Sequence, residues 1–306
     1  MKTSRRTFLL RSCSLFAAGM IFDSSKAIIS PSGISEKPSV TVGAHPWIYA
    51  ASLPPDYDIT PVLEQIFQDI KYAGFDGVEL MHHPLRSHQT TLVIREKMDR
   101  YGLPVIGTSY GADMWDKSKH TEILEEAENI IKNLASVGGR TLGTSVGKAP
   151  SRKTEAQLDD QAELLRKLID LSTQNGIVLN LHNHTYEVED DMHDLKGTLQ
   201  RIPDVKLGPD LNWLLRGGVD PVSFLKTYKD RIVFMHLRDQ LKNGKWPESL
   251  GEGDVNFKAI GKTLKSIKFS GDIVIELAHE KDFVITRSIR DSLKMSREYL
   301  KETTGY

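Results

Sequence analysis

The sequence contains one cysteine, Cys13, and this scarcity excludes several kinds of site. A single thiol cannot close a disulfide within the chain, so no disulfide framework supports the fold. Cys13 also lies near the N-terminus, and the rest of the chain offers no thiolate for zinc or an iron–sulfur cluster. Any metal ion in the body of the protein must therefore be held by histidine, aspartate or glutamate.

The chain also lacks a strong net charge and any long apolar run. Its formal net charge is -1 over 306 residues, so it has no global basic field of the kind that attracts nucleic acid. No run approaches the roughly 18 apolar residues that would cross a bilayer, and no membrane span is expected. With 39% hydrophobic and 26% charged residues, the composition is typical of an ordinary globular domain.

The N-terminal segment has the layout of an export signal. Basic residues, among them Arg5 and Arg6 in S-R-R-T-F-L, precede a short apolar stretch. The arginine pair resembles the bacterial twin-arginine signal, which exports proteins that are already folded. We therefore expect an export signal over residues 1–29, a tether rich in Ser and Pro over residues 30–39, and a periplasmic location. The alternative is a frayed amphipathic helix.

From residue 40 to residue 303 the pattern predicts one α/β domain, in which eight β-branched runs alternate with helical patterns. Eight such units in about 265 residues are typical of a (βα)8 barrel. The main rival is a doubly wound open sheet, which usually carries a Gly-rich phosphate loop where this chain has G-A-H-P-W. The predicted strands are Val40–Gly43, Gly77–Leu80, Pro104–Tyr110, Arg140–Val146, Ile177–Leu181, Val205–Leu211, Ile232–Leu237 and Asp272–Leu277.

Polar side chains stand at the carboxyl ends of the last four predicted strands, where a barrel places its catalytic groups. Neighbouring strands of a barrel bring these ends together, so the side chains can converge. The ends read H-N-H at residues 182–184, P-D-L-N-W at 209–213, M-H-L-R-D at 235–239 and V-I-E-L at 274–277.

Two imidazoles and two carboxylates from these ends suit one divalent metal ion, such as Mn, Co or Zn. The candidate ligands are His182, Asp210, His236 and Glu276. Each has a simpler explanation alone, since Asp210 could cap the following turn and a lone histidine is often structural. Glu276 stands among apolar neighbours, where an uncompensated carboxylate is costly. Their agreement at one face of a barrel favours a metal site with open positions for substrate oxygens.

Several motifs, taken in order, resemble the sugar phosphate isomerase/epimerase superfamily of xylose isomerase-like TIM barrels, in its H-N-H subgroup. The resemblance covers about residues 40–300 and implies a divalent metal held after strands five, six, seven and eight. Position 182 departs from it, because most members have Glu where this chain has His182. The matching motifs are G-F-D-G-V-E-L, L-H-N-H-T-Y-E, G-P-D-L-N-W, M-H-L-R-D and I-V-I-E.

The resemblance also implies roles around the metal. Asp239 resembles the acidic residue of the family's H-x-K-D motif, which would orient His236. Arg238 replaces the usual Lys, and its fork would suit a substrate oxygen pair or a carboxylate. Glu276 would act as base beside a metal-polarised carbonyl, with His184 or Glu187 as acid. Because a metal-bound imidazole cannot serve as a second carboxylate base, β-elimination or enediolate isomerisation is favoured over two-base epimerisation.

Further polar and aromatic residues are candidates for substrate contact. His45 and Trp213 could form the floor of a sugar pocket, although core packing explains a tryptophan equally well. Glu79 could bind substrate hydroxyls or be a salt-bridged barrel residue. Asn212, in the same motif as Trp213, completes the expected substrate-binding group.

Together these residues predict a metal-dependent isomerase, epimerase or carbon–oxygen lyase. Its substrate would be an unphosphorylated sugar, a cyclitol or a 3-keto-glycoside, and a homo-oligomer is compatible with the resemblance. One alternative is a sugar-binding barrel without catalysis. Another is a phosphodiesterase like endonuclease IV. Such barrels need three metals and more ligands, and this chain has no excess of basic residues to attract DNA.

Overall fold

The computed structural model describes residues 40–280 and 283–306. The predicted export signal and tether, residues 1–39, lie outside the described residues, and both stay predictions. Among the helices that are described, none combines the length and the apolar character needed to cross a membrane.

Eight parallel strands form the (βα)8 barrel that the sequence predicts. The ladder runs in the order β6-β5-β4-β3-β2-β1-β8-β7, and β1 pairs with β8 over six residues. Single bridges from Leu207 to Ile232 and from Asp210 to His236 join the two ends of the ladder. The strands are β1 (Val40–His45), β2 (Gly77–Met81), β3 (Val105–Gly111), β4 (Thr141–Ser145), β5 (Val178–Leu181), β6 (Lys206–Leu207), β7 (Phe234–Leu237) and β8 (Gly271–Glu276).

Helices cover the outside of the barrel and connect its strands. In α5, Thr154 and Gln157 form a reciprocal capping box, which fixes the first turn. The helices are α1 (Trp47–Ala50), α2 (Leu63–Tyr72), α3 (His88–Tyr101), α4 (His120–Ser136), α5 (Glu155–Gln174), α6 (Thr185–Arg201), α7 (Leu211–Arg216), α8 (Pro221–Thr227), α9 (Phe257–Ser266) and α10 (Ile289–Thr304).

Strand β6 is much shorter than predicted, because the chain turns into a helix directly after it. The sequence predicts Val205–Leu211, but only Lys206–Leu207 pairs as a strand. Asp210 already caps α7 by accepting hydrogen bonds from two backbone N–H groups of its first turn. This early helix start places the Asp210 carboxylate at the barrel mouth.

Helix α6 starts ten residues earlier than the predicted Leu195–Arg201, directly after the H-N-H motif. His184 and Glu187 form a capping box at its start. The backbone then leaves the helical region at Glu189 and is left-handed from Asp190 to Met192 before the helix resumes. The acidic run that the sequence presents as a loop is therefore an interruption within a longer helix.

The interior of the barrel is filled by apolar side chains beneath the polar mouth. Ile106, Phe234 and Val274 form a buried cluster. Ile106 needs glycine beside it, since a Cβ at Gly43 or at Gly77 would lie 2.5 Å from its side chain. Each fully buried side chain of this size contributes about 1.5–3 kcal/mol to stability. The barrel is thus a packed core that supports the site, as in other barrels of this architecture.

Candidate active site

Three of the four expected metal ligands meet at the mouth of the barrel. His182 follows β5, Asp210 caps α7 and His236 belongs to β7. One ligand atom from each of these residues lies within 4.8 Å of the others, and all three residues are buried. Residues that are 54 positions apart in the chain therefore share one small volume, which we call the ligand cluster.

Each residue of the ligand cluster carries a buried polar atom that has no hydrogen-bond partner among the described residues. These atoms are Nδ1 of His182, Oδ2 of Asp210 and Nδ1 of His236. Asp210 uses its other oxygen, Oδ1, to accept from the backbone N–H groups of Asn212 and Trp213 at 2.8 and 3.0 Å. The helix cap and a free carboxylate oxygen therefore coexist. Buried polar atoms are rarely left unpaired, and this donor set fits a divalent metal.

Glu276 stands beside the ligand cluster and outside it. Its Oε1 lies 2.5 Å from a guanidinium nitrogen of Arg238, and its Oε2 lies 2.9 Å from His236 Nδ1 without the alignment of a hydrogen bond. Burial alone would raise the pKa of Glu276, but Arg238, His45 and His236 outweigh burial and hold that pKa well below its usual range. Glu276 is therefore an ionised carboxylate that faces the cluster.

His236 lies between two carboxylates. Its Nε2 is 2.5 Å from Oε2 of Glu79, which is only 1% exposed. Burial disfavours the imidazolium, but Glu79 and Glu276 outweigh it and raise the pKa of His236 to about 10. Of the two roles open to Glu79, substrate contact and an ion pair within the barrel, the structure shows the ion pair.

Asp239 does not contact His236, although the family motif implies that it orients this ring. Its carboxylate accepts hydrogen bonds from the backbone N–H groups of Gln240, Gly251, Gly253 and Val255, at 2.8 to 3.1 Å. A side chain at Gly253 would collide with this carboxylate. Asp239 thus fixes the loop between β7 and α9, and Glu79 occupies the position beside His236.

His184 and Glu187, the two expected acids, are linked through Ser145. The Ser145 hydroxyl donates to Glu187 Oε1 at 2.6 Å and lies 3.1 Å from His184 Nδ1. Burial raises the pKa of Glu187 to about 8, against hydrogen bonds from Ser145 and His184 that lower it. Burial also lowers the pKa of His184 to about 4. A buried, weakly acidic carboxyl therefore lies behind a neutral imidazole.

The ligand cluster opens into a cavity of about 420 Å³, which we call the central cavity. Six strands contribute to its wall, and the loop after β7 covers part of it. Apolar and aromatic surface dominates the wall, with polar groups concentrated around His236. The residues that line the cavity include His45, Trp47, Met81, His82, Ser109, Tyr110, Ser145, His182, His184, Trp213, His236, Arg238, Trp246, Glu276 and His279.

His45 and Trp213 line the central cavity, in keeping with the substrate contact expected of them. His45 Nδ1 accepts from the backbone N–H of Trp47 at 3.2 Å, and its Nε2 lies 3.1 Å from the Ser109 hydroxyl. Burial lowers the pKa of His45, so the ring is neutral and its Nε2–H donates to Ser109.

Asn212 and Arg238 are also expected to contact substrate, but their polar atoms already bind other residues of the protein. Asn212 donates to Gln240 at 2.9 Å and accepts from the indole N–H of Trp246 at 2.9 Å. Arg238 binds both the side chain and the backbone carbonyl of Glu276. Asn212 therefore supports the wall of the cavity through Trp246, whereas Arg238 lines the cavity directly.

Trp246 and Ser145 are the main site residues that sequence reasoning misses. Trp246 lies in a polar stretch, K-N-G-K-W-P, where a large aromatic side chain is itself a signal of a covered surface. Ser145 ends β4 and carries no such signal. Its position at the end of a barrel strand is the only feature that could identify it.

Comparison with characterised proteins gives relatives of low identity over nearly the full chain. Inosose dehydratase from Clostridium tetani is 22% identical, over 87% of this chain and 98% of the relative. Inosose dehydratase from Geobacillus kaustophilus is 24% identical, over 78% of this chain and 86% of the relative.

Solved structures of similar fold include sugar epimerases. The 3-keto-D-glucoside 4-epimerase from E. coli has a TM-score of 0.67 at 18% identity, covering 86% of this chain and all of that one. The D-allulose 3-epimerase from Methylomonas sp., in complex with D-allulose, has a TM-score of 0.68 at 17% identity, covering 86% and 97%. At such identities the likeness shows the fold. The family model described as xylose isomerase-like TIM barrel matches residues 67–302, and the chain therefore belongs to the xylose isomerase-like TIM barrel family.

Proposed function

We propose that this protein is a divalent-metal-dependent carbohydrate enzyme, an isomerase or carbon–oxygen lyase that removes a proton next to a carbonyl. The observation that carries the proposal is the ligand cluster, whose three unpartnered atoms lie beside the ionised Glu276, while His182, His236 and Glu276 line a cavity of sugar size. Relatives named inosose dehydratase and neighbours named as epimerases support carbohydrate as the substrate class.

The metal would be held by His182, Asp210 and His236. Two imidazoles and a carboxylate suit Mn, Co or Zn, and they leave room for substrate oxygens. When bound, the ion would supply a Lewis acid that polarises a substrate carbonyl or hydroxyl.

Glu276 is the base in this proposal. Arg238 keeps its carboxylate ionised and fixed in place, so one oxygen can accept the proton from the substrate carbon. In a lyase, the electrons of the broken C–H bond form a double bond as the neighbouring C–O bond breaks. In an isomerase, the proton returns to the adjacent carbon.

His184 is the acid that completes the elimination. It lines the central cavity, and its neutral ring can relay a proton: one ring nitrogen gives its N–H to the departing oxygen while Nδ1 takes a proton from the Ser145 hydroxyl. Ser145 connects it to Glu187, and a serine hydroxyl can rotate to accept from one neighbour and donate to the other. Since the pKa of Glu187 is about 8, this carboxyl still holds a proton near neutral pH and can replenish His184.

His182 favours one-base chemistry over two-base epimerisation. Family epimerases place a second glutamate where this chain has His182, and a ligating imidazole cannot replace that base. The cavity also favours an unphosphorylated substrate. Among the described residues that line it, Arg238 is the only Lys or Arg, and Glu276 already neutralises it.

Proton exchange tests the proposal directly. Candidate keto-sugars and inososes are incubated with metal-loaded enzyme in D2O, and NMR identifies the carbon that acquires deuterium. We expect exchange next to the carbonyl that a chelator abolishes and added Mn²⁺ or Co²⁺ restores. Binding of these sugars without any exchange would instead identify a sugar-binding barrel, and exchange that is indifferent to chelator would remove the metal from the proposal.

We also propose that the protein is exported to the periplasm. The support is the sequence of residues 1–29, in which Arg5 and Arg6 precede the apolar stretch. In the periplasm, the enzyme would meet carbohydrates before they enter the cytoplasm and are phosphorylated.

A further inference from the structure

Four aromatic rings form a chain of pairwise contacts at the barrel mouth, which we call the aromatic stripe. The rings of Trp246 and Trp213 are 5.6 Å apart, those of Trp213 and His184 are 5.8 Å apart, and those of His184 and Tyr186 are 5.4 Å apart. The last pair is stacked at 8°. All four side chains are half-buried, so part of each remains accessible. Contiguous apolar surface of this kind marks a binding site.

The stripe extends beyond the central cavity. Its first three rings line that cavity, whereas Tyr186 lines a separate groove of about 210 Å³, which we call the peripheral groove. Tyr186 connects the two spaces, because its hydroxyl lies 2.8 Å from Ser145 of the central cavity. Arg152, Glu189 and His193 form polar walls of the groove.

The rings of the stripe are held in fixed positions. Trp246 donates to Asn212, and the guanidinium groups of Arg216 and Arg238 lie 4.1 and 4.6 Å from its ring centre. Such a surface loses little conformational freedom when a ligand binds, which favours affinity.

The peripheral groove carries balanced charge. Lys153 is buried and paired with Asp194 at 2.5 Å. The lining as a whole holds three cations and three carboxylates, from Lys148, Arg152, Lys153, Glu189, Asp190 and Asp194. Arg152 also contacts His193 at 2.9 Å. This balance disfavours a phosphate or a free carboxylate. An aromatic face beside several hydrogen-bonding side chains suits a neutral ring that carries hydroxyls.

We propose that the peripheral groove is a subsite for a second pyranose ring, so that the substrate is a disaccharide or a glycoside of that kind. The inference rests on the proposed function, because it requires the reacting sugar to occupy the central cavity. The aromatic stripe supports the apolar faces of both rings, and Arg152 and Glu189 bind the hydroxyls of the second ring. His193 holds Arg152 in place through Nδ1 and bonds the Lys153 carbonyl through Nε2.

Intrinsic tryptophan fluorescence provides the test, since Trp213 and Trp246 lie in the stripe. The protein is titrated with glucose and galactose and with disaccharides of these sugars that cover every linkage. We expect at least one disaccharide to bind about ten-fold more tightly than its component sugars, the gain from one added stacking contact. Tyr186→Ala and Arg152→Ala should each remove this gain, and Arg152→Ala, at a residue that lines the peripheral groove and not the central cavity, should leave monosaccharide binding in place.

Tyr72→Ala is the matched control, because Tyr72 is an exposed tyrosine on α2 with 47% of its surface accessible. It should leave every affinity unchanged. If monosaccharides bind and no disaccharide binds more tightly, or if both groove variants keep the gain, the subsite is refuted while the proposed function stands. If no sugar binds and no deuterium exchange occurs, the proposed function itself has failed and the subsite falls with it.

Discussion

Oε2 of Glu79 lies 2.5 Å from Nε2 of His236, so a buried carboxylate on β2 fixes the orientation of a histidine on β7. Because the pKa of His236 is raised, a metal would have to displace a proton from this ring; Nε2–H would still donate to Glu79, and Nδ1 would offer its lone pair to the metal. Ligating histidines commonly have such a partner, which sets the tautomer and makes the ring a better ligand. Glu79 also places a negative charge next to a cluster that has two imidazoles and a single carboxylate.

Glu79→Gln should therefore weaken metal binding by about 10- to 100-fold, the usual effect of losing such a partner. The amide keeps the size of the side chain but removes its charge. Isothermal titration with Mn²⁺ or Zn²⁺ measures the change. Asp272→Asn is the matched control. Asp272 is 3% exposed and pairs with Arg140, and it lies at the start of β8, whereas Glu276 of the site lies at the end of that strand.

Both variants lose an ion pair made by a buried carboxylate, so both should melt at a lower temperature, but only Glu79→Gln should lose metal affinity. Equal affinities in Glu79→Gln and the unmodified protein would show that Glu79 serves stability alone.

Removing the charge of Asp210 should affect metal binding, whereas removing the charge of Glu276 should affect turnover. Asp210 belongs to the ligand cluster, and Asp210→Asn should abolish stoichiometric metal binding. Glu276 lies beside the cluster, and Glu276→Gln should keep the metal while lowering kcat by about 10²- to 10⁴-fold. Metal content by elemental analysis and deuterium exchange by NMR separate the two effects. Loss of metal in Glu276→Gln would make this residue a fourth ligand.

The fold was accessible from sequence because its signals are local. Buried parallel strands give short β-branched runs, and glycines such as Gly74, Gly138 and Gly176 end helices in the left-handed conformation before the next strand. Barrel geometry then predicts that the residues at the strand ends converge. Three residues of the ligand cluster follow from that reasoning alone.

The contacts that tune the site were not accessible, because they join distant parts of the chain. Glu79 and His236 are 157 positions apart, and no periodicity pairs them. Asp239 matches a motif for orienting His236, yet its carboxylate holds the Gly251–Val255 backbone. Only the two glycines in G-E-G-D hint that this loop lies close to another group. A motif thus locates a residue in the barrel without fixing its partner.

The arginine pair at the N-terminus makes a prediction about export. Residues 1–39 fused to a fluorescent reporter that folds before export should carry it to the periplasm. Replacing Arg5 and Arg6 together by Lys keeps the charge but removes the pair, and cell fractionation should then find the reporter in the cytoplasm. Arg11→Lys is the control. If the double variant is exported as well as the unmodified fusion, the arginine pair is not required, and the segment is not a twin-arginine signal.

Glu248 makes a prediction about acid stability. It is 3% exposed and ties the loop after β7 to the segment before α10 by accepting hydrogen bonds from Thr286 and Arg287. Burial opposes its ionisation, but these hydrogen bonds outweigh burial and lower the pKa of Glu248 to about 2. Because the folded-state pKa is below the usual 4.5, its contribution is complete above about pH 5 and is lost as pH falls towards 2.

Glu248→Gln should lower the melting temperature at pH 7 by about 4–8 °C, since hydrogen bonds to a charged group contribute about 1.5–3 kcal/mol. The gap between variant and unmodified protein should narrow between pH 5 and pH 3, because acid removes the same charge. Circular dichroism melts at pH 7, 5 and 3 measure both effects. Glu298→Gln, at an exposed position 3.9 Å from Lys294, should change little at any pH. A gap that stays constant down to pH 3 would mean that Glu248 acts through its shape and not through its charge.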